Sequence, residues 1–172
     1  MSIAQIQLRY DEHEDRLLLR FATTDHCEFR FWLTRRFTKR LWPMLVRMLE
    51  WDQAVKQQVD PNARKEVLDI RHEGYVREAD YTTQFREQAQ AVLPLGEAPV
   101  LLGRAQGSKR ADGVQILKLQ PTHGQGIDIT CDTRLLHLFT RLLREQVAKT
   151  DWDVNLALHE GAAAPEQRRS VN

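Results

Sequence analysis

Apolar and polar residues alternate along the first part of the chain. Ile6, Leu8 and Tyr10 are separated by single polar residues, the period of a strand with one buried face. Asp11-Glu12-His13-Glu14-Asp15 interrupts this pattern as a charged turn, and Arg16 to Ala22 returns as a second strand. After the turn Thr23-Thr24-Asp25-His26, Phe29, Phe31 and Leu33 alternate with Glu28, Arg30 and Trp32, predicting a third. From Thr34 onward the period becomes helical. Phe37, Leu41, Met44, Leu45, Met48 and Leu49 fall on one stripe, and Thr34 is placed to cap the first turn with its hydroxyl. Pro43 lies inside this stretch, so the expectation is a kinked helix.

The same order returns later at a constant offset with no gap. Leu18-Leu19-Arg20-Phe21 corresponds to Ile116-Leu117-Lys118-Leu119, and Phe29 to Leu33 corresponds to Ile127 to Cys131. Thr34 aligns with Asp132, Phe37 with Leu135, Leu41 with Phe139, Leu45 with Leu143 and Leu49 with Val147. The residues differ, but the apolar periodicity and the helix-start chemistry agree. The second copy is expected to start at Val100-Leu101-Leu102 and turn at Gly107 to Gly113. Strands over Val114–Leu119 and Ile127–Cys131 and a helix capped by Asp132 should follow. Trp152, Val154, Leu156 and Leu158 alternate and predict a terminal strand.

The fold expectation is therefore α+β: two pseudo-repeated antiparallel β-β-β-α units, over residues 1–52 and 99–159, within one compact domain. Residues 53–98 form a helical linker with net negative charge between them, and 160–172 a disordered tail. In the linker, Val55 and Val59, then Val67, Ile70 and Val76, make a thin apolar stripe that Gly74 should break or bend.

At 172 residues the chain can build a core without a disulfide or metal staple. Cys27 and Cys131 lack ligand spacing and read as small buried hydrophobes. The net charge of +1 gives no whole-molecule attraction to nucleic acid or membrane. The N-terminus carries no signal-like segment and no stretch approaches a bilayer span, so a cytoplasmic location and no membrane partner are expected. No cofactor or metal is implied.

Catalytic patterns are scarce. No phosphate-binding glycine loop or nucleophile elbow occurs. Asp69 and His72 share a helix face but lack a further convergent ligand, and a solvated, salt-bridged helix face explains them better. Cys27 beside His26 is a further enzyme candidate; the 11–15 turn lacks the ligand pattern of a calcium loop. The best candidate is basic and aromatic: Arg30, Trp32, Arg35, Arg36, Lys39, Arg40 and Trp42, in a stretch from Phe29 to Met48 that has no acidic residue. Its cations suit phosphates and its tryptophans suit bases, although cations at a helix N-terminus oppose the macrodipole. Ion pairing with the 11–15 turn or the middle segment is the structural alternative.

Across residues 5–150 the element order resembles the PUR-alpha and Whirly class of single-stranded nucleic-acid-binding proteins, in which twisted antiparallel sheets carry helices. The likeness implies a fold rather than an activity, because no signature motif accompanies it. A non-enzymatic binding or assembly module is expected, binding a protein partner or a second copy through a sheet edge or the outward Trp32 face. Sequence-tolerant binding of single-stranded nucleic acid is the alternative, and an unrecognised acid/base enzyme the third.

Overall fold

The computed structural model describes residues 1–78, 85–86 and 91–158; the expected 160–172 tail lies outside them. Strands β1 (Ile3–Asp11), β2 (Arg16–Thr23) and β3 (Glu28–Leu33) lead into helix α1 (Arg35–Leu49). A short helix α2 (Gln53–Lys56) and the longer α3 (Pro61–Glu78) follow. Strands β4 (Val100–Lys109), β5 (Gln115–Pro121) and β6 (Ile127–Cys131) then precede helix α4 (Thr133–Val147).

The fold is α+β, built on one six-stranded mixed sheet in the order β1-β2-β3-β4-β5-β6. All neighbours are antiparallel except β3 and β4, which pair in parallel over Phe31–Val100 and Trp32–Leu101. Beyond that short contact, the edge of β3 is occupied by Val92: its amide donates to His26 O, and Glu28 N donates to Val92 O, both at 2.9 Å. At the opposite ends of the sheet, Thr130 N on β6 donates to Met1 O at 3.1 Å. The two outer edges therefore approach one another.

One face of the sheet carries the core. Leu17, Leu19 and Phe21 of β2, Phe31 and Leu33 of β3, and Leu117, Leu119 and Ile129 of the other half are almost completely buried against Leu41, Leu45, Phe139 and Leu143 of the helices. Each helix reaches across the molecule: α1 packs on β4 and α4 on β1, and the two helices meet. Near its C-terminal end each makes a close contact with the distant strand. Met48 lies on Gly107 of β4, and Gln146 Oε1 accepts from Tyr10 N of β1 at 3.1 Å.

Gly107 corrects an expected boundary. It was placed in a turn, but β4 runs on to Lys109 and pairs Gly107 with Leu117. The glycine is required by approach: a Cβ there would lie 2.6 Å from Met48 Sδ. The turn itself falls at Arg110–Gly113, where Gly113 has φ +88° and donates to Arg110 O at 3.0 Å.

Expectations also change after α4 and in α3. Trp152 to Leu158 forms no strand; its alternation reflects Trp152 and Leu156 packing on the core, with Trp152 Nε1 donating to Asp15 Oδ1 at 2.6 Å. Helix α3 continues through Gly74. Its buried side is also rotated: Leu68 and His72 are inside, whereas Ile70 is 70% exposed and Val59, ahead of the helix, 91%. Helix α1 runs from Arg35 to Leu49 through Pro43. Pro43 is exposed, so the Lys39 carbonyl deprived of its helical donor lies towards water.

Candidate functional site

The surface of α1 follows directly from its apolar period. Thr34 Oγ1 accepts from Phe37 N at 3.2 Å, fixing the start of the helix. Phe37, Leu41, Leu45 and Met48 turn inward. That phase leaves Arg35, Arg36, Lys39, Arg40 and Arg47 exposed on the outer side. None of the five has an ion-pair partner among the described residues. The anticipated compensation by acidic residues of the 11–15 turn or the middle segment is not made among those residues. The positive charge at the helix start therefore stands against the macrodipole.

The remaining candidates lie elsewhere. Trp42 is 5% exposed, and its Nε1 donates to Ala157 O at 2.8 Å. It belongs to the core and offers no face for base stacking. Arg30 and Arg20 converge on Glu28 Oε1, at 2.7 and 2.8 Å, and Arg30 also donates to Glu97 O at 3.2 Å. Burial pushes the Glu28 carboxyl upward, but hydrogen bonds and charge from Arg20 and Arg30 outweigh it and hold the group below the ordinary carboxylate range. Trp32 is half-buried on the sheet face opposite the core, in register with Leu18 and Leu101. The seven candidates thus divide into an exposed basic helix face, a saturated ion-pair cluster, a sheet-face tryptophan and a core tryptophan.

The exposed basic face runs into a groove of about 740 Å³ between α1, α2, α3 and Ala157–Leu158. Its apolar walls include Val46, Trp51, Val55 and Leu68, and its cations are Arg47, Lys56, Arg64 and Lys65. Glu50 is the single acidic residue of the lining. This groove was not legible in the sequence, because its walls come from three helices and a following segment. The local signal was weak but present: Val55, Leu68 and the surrounding lysines and arginines lie at spacings that suit helices.

His72, grouped with Asp69 in the sequence, is buried against α4. His72 turns under α3, and its Nδ1 lies 2.9 Å from Nδ1 of His137 on α4. One ring must donate and the other accept, so the pair shares a single proton in this contact. Tyr75 stacks on His137 at 4.9 Å, while Arg71 donates to Tyr75 Oη at 3.0 Å and to Asp52 Oδ2 at 2.8 Å. Burial, reinforced by His72 and Arg71, pushes His137 down to about 4; burial and the charge of Arg144 also lower His72. These neutral rings fasten α3 to α4. The partnership joins residues far apart in sequence, and nothing local to either histidine announces the other.

Among the described residues there is no group of three or more His, Cys, Asp or Glu side chains able to hold a metal. Cys131 is buried, and that burial pushes its thiol up to about 12; Cys27 is half-buried with its Sγ 3.8 Å from Asp25 O. Among the described residues, no helix is long and apolar enough to cross a membrane.

Comparison with known proteins finds no matching family model, no matching curated protein and no matching solved structure.

Proposed function

We propose that this chain is a non-enzymatic binding module that uses the exposed cations of α1 to engage an acidic partner protein. The observation that carries the reading is the set Arg35, Arg36, Lys39 and Arg40: exposed at a helix start and lacking ion-pair partners among the described residues. Arg35 and Arg36, in the first turn, each cost roughly 0.3–1 kcal/mol against the helix dipole. A partner carrying negative charge would offset that cost.

A duplicated arrangement, part of the same proposal, would place the binding surface here. Helices α1 and α4 each span 15 residues and start at caps in corresponding positions, Thr34 and Asp132. The Met48–Gly107 and Gln146–Tyr10 contacts also fall at corresponding ends of the two helices. Where α1 carries exposed Lys39, the constant offset puts buried His137 on α4, covered by His72 and Tyr75 of α3. The inserted helix closes on one copy the surface that the other leaves open. A pseudo-twofold duplication with one free helix face is the simplest account of these facts.

Single-stranded nucleic acid fits less well. Trp42 is 5% exposed and Trp32 lies on the sheet face opposite the core, so neither of these two presents an open stacking face beside the cations at the start of α1; Trp51 lines the neighbouring groove. Self-association through Trp32 keeps some support from its half-exposed position between Leu18 and Leu101.

The test compares a polyglutamate probe with a labelled oligo-dT of matched charge over a salt series. The polyglutamate should bind at low salt, and Arg36→Gln/Lys39→Gln/Arg40→Gln should weaken it at least about tenfold while circular dichroism stays unchanged. Tighter binding of oligo-dT, with quenching of tryptophan fluorescence and a steep salt slope, would transfer the reading to nucleic acid. Absence of polyglutamate binding even at low salt would remove it.

A further inference from the structure

The groove beside α1 has properties that the exposed cations alone do not explain. Its floor is apolar, formed by Val46, Val55 and Leu68 with Trp51 alongside, and its rim carries Arg47, Lys56, Arg64 and Lys65 against the lone Glu50. Val55 and Leu68 are 2% and 1% exposed, so the floor is built on side chains anchored in the core. Lys56 and Lys65 are exposed and, like Arg47, lack ion-pair partners among the described residues.

We infer that this groove docks an amphipathic acidic helix from a partner protein, a deepening that rests on the basic-face reading above. An apolar stripe at i, i+3, i+4 and i+7 would enter between Val46 and Leu68, while carboxylates flanking the stripe would meet the rim cations. The charge complementarity selects against a basic or neutral helix. The apolar floor selects against a uniformly acidic polymer, whose charged groups would lose water there without apolar contacts in return. Arg47 lines the groove from α1, so an occupant that continues along α1 beyond it would approach Arg40 and Lys39.

The probe is a fluorescein-labelled peptide of roughly 15 residues, with Leu on one helical face and Glu on the other, measured by anisotropy with the full-length protein. A peptide of identical composition with its leucines scattered serves as control. The amphipathic peptide should bind at least about tenfold more tightly than the scrambled one, and Lys56→Glu/Lys65→Glu should weaken it by a similar factor. Those lysines are exposed, and circular dichroism would show that the variant retains its fold. Val46→Ser should weaken the amphipathic peptide selectively, leaving the scrambled one unchanged.

Equal affinity for the two peptides, or no effect of Lys56→Glu/Lys65→Glu, overturns the groove assignment. If Arg36→Glu/Lys39→Glu/Arg40→Glu nevertheless abolishes binding, the basic-face reading survives the loss of the groove. The reverse pattern, with binding removed by the groove variant and untouched by the α1 variant, keeps the groove and rejects that face. Displacement of the peptide by dodecanoate or oligo-dT at lower concentration than by unlabelled peptide also overturns a protein helix as occupant.

Discussion

At His137, burial sets both a protonation state and a packing contact. The ring is 1% exposed, bonded to His72 and stacked on Tyr75, with Arg71, Asp52, Asp69, Glu73, Arg141 and Arg144 among the charged groups acting on the pair. Its folded pKa is pushed down to about 4, below the usual histidine value near 6.5. Above that usual value the ring is neutral both folded and unfolded. As pH falls below it, the unfolded chain takes a proton that the folded chain refuses, so stability declines towards pH 4. For His137 the loss is on the order of 3 kcal/mol when fully developed. Urea unfolding at pH 7.5 and pH 5 should show a falling midpoint in the parent and a flatter response in His137→Gln. Equal pH dependence in both proteins would count against the buried pair as the cause. Glu28 shows the same dependence on tertiary surroundings: a residue read as an outward strand position gathers two arginines and takes Arg30 out of the expected binding set.

At the scale of elements, local chemistry determines starts and stops, and packing determines extent. Thr34 and Asp132 were legible as helix caps because a hydroxyl or carboxylate can satisfy a first-turn amide without any distant partner, as Phe37 N and Leu135 N show. The extension of β4 through Gly107 was not legible, since the reason for that glycine is Met48 on another element. Gly107→Ala should cost about 1–3 kcal/mol, because its Cβ would displace a fully buried thioether. In a Met48→Ala background the added cost should shrink. A double-mutant cycle read by urea unfolding checks this, and strict additivity would show that the two sites do not share the space. The rotated face of α3 teaches the same lesson: Ile70 is the stronger hydrophobe, yet Leu68 and His72 are the residues that meet the rest of the fold.

At the scale of the molecule, crossing of the helices ties the two halves together. Helix α1 packs on β4 and α4 on β1, so neither three-stranded part has its own helix as its sole cover. The parallel β3–β4 junction is only two residue pairs long, which leaves this exchange of helices as the main bond between halves. A chain cut to residues 1–98 should consequently lack cooperative unfolding, and mixing it with residues 99–172 should restore a folded complex. A stable, cooperatively folded 1–98 fragment would show that the first half owns its core. The meeting of Thr130 with Met1 also bears on association: the outer edges partly satisfy each other, leaving less free edge for a second copy to extend.

The sequence by itself determined the six strands and the helices α1 and α4 that follow them, with the caps and inward faces of those two helices, because periodicity and capping act over a few residues. It also identified the cations of α1. The tertiary structure decided which of the basic-aromatic residues remain available, burying Trp42, pairing Arg30 with Glu28 and leaving Arg35, Arg36, Lys39 and Arg40 outside. It likewise brought His72 to His137 and assembled Val46, Val55 and Leu68 into one groove. Those outcomes depend on contacts between segments distant in the chain, where spacing along the sequence carries no information about distance in space.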